Sequence, residues 1–442
     1  YVEQRDGHVA RVHVDDRQCA FRGGAGRRAG LYAPRLCDSI GRFMFFDLAT
    51  FLKLMRLLLR PRTFSLRRLL VTSGFLVALL LINVTTFVFQ QLDHVFYPRL
   101  RHTKVVEPVF VIANPRSGTT FLHRLMCLDE ERFTYIRLWQ TVFASVTFYR
   151  MVGQLARVDR ALGGPFDRFR RWTERKWFKG WDGVHHVGWN AAEEEEAIFV
   201  SSLLSPDALM VMPFPGEWPE LAFLDALPEK KRKRVMRYFH GCVQRHVFAT
   251  GNNRIYLSKN VFLSGRFKSF CETFPDARYV HLIRHPYSSL ASTISMFRAP
   301  WKMHSPEIPP DSPESRYWAE IGMDYYLYIL ENGEALAPGR FVTYQYDDLI
   351  ADPRGVVHDI YKRLGIPMSE AFDARLTREA QLSRHYHSVH DYSMHEYGLT
   401  EDAVYERLRP VFERYGFAKY PGHDGEKQCV DASVGSPQAS AR

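Results

Sequence analysis

The chain reads as an α/β protein, a mostly parallel central sheet flanked by helices, with an N-terminal hydrophobic membrane helix. Three observations predict this. Short β-branched and aromatic runs alternate with helical patterns from residue 108 to 365, the mark of strands joined by helical crossovers. The polar segments with chemical potential directly follow those runs, as expected where ligands bind at the carboxyl ends of parallel strands. Finally, residues 69–92 are 24 consecutive uncharged positions, and a bilayer span needs ~20 mostly apolar residues.

The chain of 442 residues, 46% apolar and 24% charged, has room for one large domain with an ample core. Its net charge of +10 suggests an anionic partner, either a membrane surface or an anionic ligand. Nucleic acid is disfavoured, because the basic residues are scattered or flank apolar segments and form no known nucleic-acid signature. Six dispersed cysteines without a C-x-x-C pair indicate neither a metal site nor a disulfide framework.

In chain order, residues 1–37 are Gly- and Arg-rich without a sustained period, and are expected to be a disordered extension. Residues 38–104 form the expected membrane-associated unit. Within it, Met44, Phe45, Leu48, Phe51, Leu52, Met55, Leu58 and Leu59 recur at helical spacing, with Lys53, Arg56 and Arg60 on another face. That pattern suits a basic amphipathic helix at a membrane interface; a helix packed on the main domain gives the same pattern. The uncharged run comes next, so residues 43–92 are the expected membrane contact. Arg60, Arg62, Arg67 and Arg68 crowd its N-terminal side, which by the positive-inside rule gives a type II single span with a lumenal catalytic part. An interfacial or re-entrant helix would instead keep the catalytic part cytosolic. With 16 residues (93–108) before the first strand, the main domain, 105–420, must sit close to the bilayer in either case.

The sequence Val109-Phe-Val-Ile-Ala-Asn-Pro-Arg-Ser-Gly-Thr-Thr-Phe-Leu-His-Arg-Leu-Met126 organises the rest. Val109–Ile112 reads as a buried strand, 114–118 as a tight turn, and 119–126 as a helix with Phe121, Leu122, Leu125 and Met126 on one face. Strand, small-residue turn and helix aim backbone N–H groups and a helix N-terminus at a phosphate. The turn Pro115-Arg116-Ser117-Gly118-Thr119-Thr120 lacks the G-x-x-x-x-G-K-[ST] of a triphosphate–magnesium loop. Ala113 replaces the first Gly, Thr119 the Lys, and the cation moves to Arg116.

Residues 133–150 are aromatic-rich and helical in composition, and 151–183 read as an insertion near the substrate entrance. His185-His186-Val-Gly-Trp-Asn-Ala-Ala-Glu193-Glu194-Glu195-Glu196 then precedes an apolar stretch. Acids there ordinarily make a solvated helix start, but helical spacing to Ile198 and Phe199 turns Glu194 or Glu195 toward the buried face. Residues 229–249 form a basic-headed amphipathic helix, and 255–257 a strand leading into Ser258-Lys259-Asn260. A helix over 263–274, a buried strand over 279–283 running into Arg284, a strand over 341–344 and a helix ending at Leu364-Gly365 complete the pattern. Residues 421–442 are polar and expected to be a disordered tail.

Pro-Arg-Ser-Gly-Thr-Thr after a hydrophobic strand resembles the 5′-phosphosulfate-binding loop of sulfotransferases that use 3′-phosphoadenosine 5′-phosphosulfate (PAPS). A strand ending in Arg284 with Ser292 eight residues later is similar to that family's 3′-phosphate-binding motif. Lys259 resembles a lysine of the tyrosylprotein and bacterial-type branches, although Asn260 comes next and no proline does. Tyr344-Gln-Tyr-Asp-Asp-Leu349, Leu364-Gly-Ile-Pro367 and His390-Asp-Tyr-Ser393…Tyr397-Gly-Leu-Thr400 are similar to C-terminal landmarks of the family. The adenine-side Arg-Lys-Gly-Gly loop of the cytosolic members is absent. The resemblance covers roughly residues 105 to 417. It implies a P-loop NTPase-like fold, PAPS as the sulfuryl donor and no metal.

The mechanism this resemblance implies is in-line displacement with charge growing on the leaving 5′-phosphate. The amides of Ser117–Thr120, Arg116 and Lys259 are the expected donors there. The acceptor hydroxyl needs a base, with Glu194 or Glu195 first and His186 next. The acceptor class is carbohydrate, lipid or protein tyrosine, with the short tether favouring a membrane-proximal one. The competing readings are a nucleotide-dependent kinase on a P-loop scaffold, disfavoured by the missing Gly-Lys-[Ser/Thr], and a membrane adaptor that has lost catalysis.

Overall fold

The structure, a computed structural model, describes residues 47–60, 64–177, 191–251, 253–383 and 394–419. The expected extension and tail, His185, His186 and the element 390–393 lie outside those residues.

Five strands make the sheet: β1 (Val109–Ile112), β2 (Phe133–Thr134), β3 (Ile255–Asn260), β4 (Arg278–Ile283) and β5 (Phe341–Gln345). Their order is β2-β3-β1-β4-β5, and every neighbouring pair is parallel. The sequence located four of them. β2 falls inside the stretch 133–150 expected to be helical, because two residues carry no periodicity of their own; it is held at the edge by packing, with Phe133 buried edge-on against Tyr361. The connection after β1 runs to β2 on one side and that after the adjacent β4 runs to β5 on the other, so the order reverses there and opens a crevice at the strand ends.

Strand alternation gives the sheet two cores. Phe110, Ile112, Tyr256 and Tyr279 face the larger one; Val109, Val111, Leu257 and Val280 face the other. A strand buried on both sides needs an unbroken apolar run, which Val-Phe-Val-Ile supplies. The principal helices are α1 (Leu48–Leu58), α2 (Leu66–Phe96), α3 (Thr119–Cys127), α4 (Val146–Ala161), α5 (Pro165–Trp177), α6 (Glu229–Thr250), α7 (Pro286–His304) and α8 (Pro313–Leu336).

α1 is capped by Asp47, whose carboxylate accepts the Thr50 amide at 2.8 Å and pairs with Lys231 at 2.9 Å. Leu54, Leu57 and Leu58 are buried in the larger core. Of the apolar positions expected to share a face, Leu58 is buried there while Leu48, Leu52 and Leu59 are exposed, so the domain covers one side of α1 and leaves an apolar side open.

α2 differs. Thr72 Oγ1 donates to Val211 O at 3.1 Å, Asn83 Nδ2 to Ser201 O at 2.9 Å, Thr86 Oγ1 to Val142 O at 3.2 Å and Gln90 Nε2 to Ala144 O at 2.9 Å. Asp93 accepts from Ser145 Oγ at 2.9 Å and from Arg245 Nε at 3.1 Å, and Arg68 Nε donates to Ser305 Oγ at 2.8 Å. Residues 68, 72, 83, 86, 90 and 93 share one helix face. The domain is thus bonded along nearly the whole of α2. The opposite face exposes Leu70, Val77, Leu80, Leu81, Val84 and Val88, and only 17% of the most apolar stretch is buried.

Candidate active site

The loop between β1 and α3 is fixed from both sides. Asn114 Nδ2 donates to Gly322 O on α8 at 2.8 Å. The Pro115 carbonyl accepts Ser289 Oγ at 2.9 Å and Thr293 Oγ1 at 3.3 Å, both from α7. Arg116 sits in the left-handed region at φ 66°, a conformation costly for a side-chain-bearing residue and characteristic of functional turns. Gly118 lies two positions on, at φ 84°. A Cβ there would come within 2.6 Å of the Tyr346 ring, so the position requires glycine twice over.

Gly118 is the N-cap of α3 and gives no side-chain cap. Phe121 and Leu122 donate to the Gly118 carbonyl, while the first amides of a helix, here those of Thr119 and Thr120, have no intrahelical acceptor and are available to an anion. Ser117 is fully buried within the turn.

The residues singled out from the sequence converge on this loop. Arg116 Nε donates to Ser292 Oγ at 3.1 Å. Arg284 donates to the Arg116 carbonyl at 2.9 Å and stacks over the Tyr346 ring at 4.4 Å. Lys259, wholly buried at the end of β3, places Nζ 3.0 Å from Thr120 Oγ1 and 3.0 Å from Glu194 Oε1. Two guanidinium groups, one ammonium and a bare helix N-terminus at one strand-end crevice can hold two phosphate-like groups.

The four acids separate. Glu193 and Glu194 lie on the Lys259 side, at 3.9 Å and 3.0 Å from its Nζ. Glu195 turns to the opposite side of β3, where the Tyr256 hydroxyl donates to it. Burial pushes its carboxyl up to about 7, against the pull of the Ser258 and Tyr256 hydroxyls. Glu196 is buried in a fork–fork pair with Arg266 at 2.7 Å and accepts from Ser205 and Asn260. The sequence expected helical spacing to bury one of these acids, yet the helix begins only at Glu196. β3 does the sorting instead, because Lys259 and the pair Tyr256 and Asn260 point to opposite faces.

Sequence reading missed three contributors. Tyr346 lay inside a noted C-terminal landmark without a role. Tyr326, whose hydroxyl donates to the Arg284 carbonyl at 2.8 Å, and Arg266, 70 positions from its acid, carry no local signal.

The family profile described as "Sulfotransferase family" matches residues 108–370. The omega-hydroxy-beta-dihydromenaquinone-9 sulfotransferases Stf3 of Mycobacterium bovis and Mycobacterium tuberculosis are each 26% identical over 348 residues, 77% of this chain and 82% of theirs. Among solved structures, sulfotransferase STF1 from Mycobacterium tuberculosis superposes with a TM-score of 0.63 at 20% identity, covering 84% of this chain and 96% of that one. STF9 from Mycobacterium avium gives 0.61 at 19% identity, covering 75% and 81%. Both likenesses are of fold.

Proposed function

The chain belongs to the sulfotransferase family, and from that premise we propose that it moves a sulfuryl group from PAPS to a hydroxyl of a membrane-resident lipid. The observation that carries the donor assignment is the convergence of Arg116, Arg284 and Ser292 on one loop. PAPS supplies an activated sulfuryl group on a 5′-phosphate and, through its 3′-phosphate, a second anionic handle. The residues present fit both. The α3 amides, Arg116 and Lys259 hold the 5′ end, while Arg284 and Ser292 take the 3′-phosphate.

Glu194 is the base in this reading. It takes the acceptor's hydroxyl proton as the acceptor oxygen bonds to sulfur and the sulfur–phosphate oxygen bond breaks. Lys259, between Glu194 and Thr120, keeps the carboxylate beside the loop and offsets charge on the leaving oxygen. Glu195 stays a positioning group behind the strand.

Two facts support a lipid acceptor. The apolar helix α2 reaches the catalytic segment itself, since Asn83 holds the Ser201 carbonyl at the end of the helix that starts at Glu196. A relative at 26% identity is named for a menaquinone-type acceptor. Because the domain covers one face of α2 from Arg68 to Asp93, the helix lies along the interface rather than crossing it. A crossing helix would have to meet hydrocarbon on every side for ~30 Å.

Calorimetric titration of 3′-phosphoadenosine 5′-phosphate into the full chain tests the donor site, beside Arg284→Ala and with 5′-AMP as control. Tight binding that needs the 3′-phosphate and weakens roughly 100-fold in Arg284→Ala is expected, consistent with loss of a charge-assisted contact. Equal binding of 5′-AMP would refute the assignment. Transfer of labelled sulfate from PAPS into the organic phase of a lipid extract tests the acceptor class; label found only on water-soluble sugars would reject it.

A further inference from the structure

The hairpin formed by α4 and α5 exposes more apolar surface than folding explains. Leu155 and Val158 on α4 and Leu162 at its C-cap recur at helical spacing, with Leu162 66% exposed, and Phe166, Phe169 and Trp172 continue the series along α5, with Phe166 72% exposed. Phe169 and Trp172 stack at 5.7 Å. A contiguous exposed apolar series of this kind marks an interaction surface.

The hairpin is a built element. Gly163 and Gly164 make its turn at φ 83° and 76°. The buried Asp159 carboxylate caps α5 by accepting the amides of Phe166 and Asp167 at 2.8 and 3.0 Å. Its root is fixed to α2, where Asp93 accepts the Val146 and Thr147 amides at 3.1 and 2.7 Å and Phe89 meets Phe148 edge-on at 5.1 Å.

Charge narrows the occupant. Residues 146–173 contain six arginines and two aspartates, a net of +4. Asp159 is consumed as the cap and Asp167 is paired with Arg170 and Arg171, while Arg150, Arg157, Arg160 and Arg168 are exposed. Basic residues around an apolar stripe fit an anionic lipid surface, where apolar insertion and headgroup attraction add.

We propose that the α4–α5 hairpin is a second membrane-docking element, which seats its apolar stripe in an anionic leaflet alongside α2. The inference rests on the membrane reading of α2 and extends it from one helix to a two-element platform. A single helix free to roll about its axis would leave the active site without a fixed aspect. Two elements joined at Asp93 set one.

The test is flotation of the full chain with phosphatidylcholine vesicles, with and without phosphatidylglycerol. Three proteins are compared: wild type, a hairpin variant (Leu155→Ser, Leu162→Ser, Phe166→Ser) and an α2 variant (Leu80→Ser, Leu81→Ser, Val84→Ser). Both variants alter exposed positions, and binding of 3′-phosphoadenosine 5′-phosphate reports their folding. The hairpin variant is expected to partition roughly 10-fold more weakly than wild type, with phosphatidylglycerol dependence reduced and nucleotide binding unchanged. Wild-type partitioning by the hairpin variant, alongside a defective α2 variant, would overturn the hairpin proposal alone. Loss of a dimer in the hairpin variant without a change in flotation would give the stripe to a second copy of the chain. A wild-type protein that ignores both vesicle types would overturn this proposal together with the membrane reading beneath it.

Discussion

The two faces of β3 hold the same kinds of side chain and make different chemistry of them. On one face, Lys259 holds Glu194 beside the β1–α3 loop at the rim of the crevice. On the other, Tyr256 and Asn260 hold Glu195 and Glu196 inside the larger core. Neighbouring carboxylates thus become a partly exposed partner of Lys259, proposed above as the base, a buried acid that keeps its proton to about pH 7 and half of a buried ion pair. The lesson is that residue type proposes a role, and the side of the strand assigns it.

The contrast between the two faces is sharpest at Glu196. Glu196→Ala leaves Arg266 buried and unpaired, a loss expected to cost about 3–5 kcal/mol, read as a large fall in denaturant midpoint or as insoluble protein. A near-native midpoint would show that the core-side face is not structural. Next, Glu194→Gln should lower kcat by about 10²–10⁴-fold, with a stability loss smaller than that of Glu196→Ala because Glu193 stays 3.9 Å from Lys259. An equal loss in Glu195→Gln would erase the distinction between faces.

Glu195 has its own signature. The folded protein keeps this proton to about pH 7, whereas an ordinary glutamate releases it near 4.5. Between those values the folded state binds more protons, so this group's stabilisation is complete below pH 4.5 and is lost as pH rises through 7. The loss is on the order of 3 kcal/mol. Thermal unfolding of Glu195→Gln across that window should lack the decline, and a parallel decline in both proteins would assign it to other groups. The smallest effect is Tyr256→Phe. Removing the hydroxyl that pulls the Glu195 carboxyl down should move the decline to higher pH, at a cost of about 1 kcal/mol; an unmoved midpoint would show the contact to be idle.

Much of the cluster around the β1–α3 loop was legible in the sequence. Pro115-Arg116-Ser117-Gly118 comes straight after an unmistakable strand, and Arg284 and Ser292 sit at a fixed spacing on the next strand–helix unit, so local pattern and parallel topology together bring them to one place. The kinase alternative fell for a local reason too, as no lysine comes after Gly118, and the family profile spans the same residues. The hidden part depends on packing between distant segments: Arg266 against Glu196, Tyr326 behind Arg284, and two-residue β2. α1 was readable as a helix, but not which side the domain buries: Leu54, Leu57 and Leu58 go into the core while Leu48, Leu52 and Leu59 stay exposed, because apolar residues on both sides give no single stripe. In α2, the uncharged run concealed a second message in Thr72, Asn83, Thr86 and Gln90, polar residues too weakly hydrophilic to interrupt it.

That polar ladder bears on how the enzyme could ever be handled in isolation. Trimming a chain just after its apolar helix is the common route to a soluble catalytic fragment. Here the cut would remove Asp93, orphan Arg245 and the start of α4, and strip donors from the carbonyls of Val142, Ala144, Ser201 and Val211. The helix is a rib of the enzyme, and solubility would be better sought by recolouring its outer face with polar side chains than by amputation.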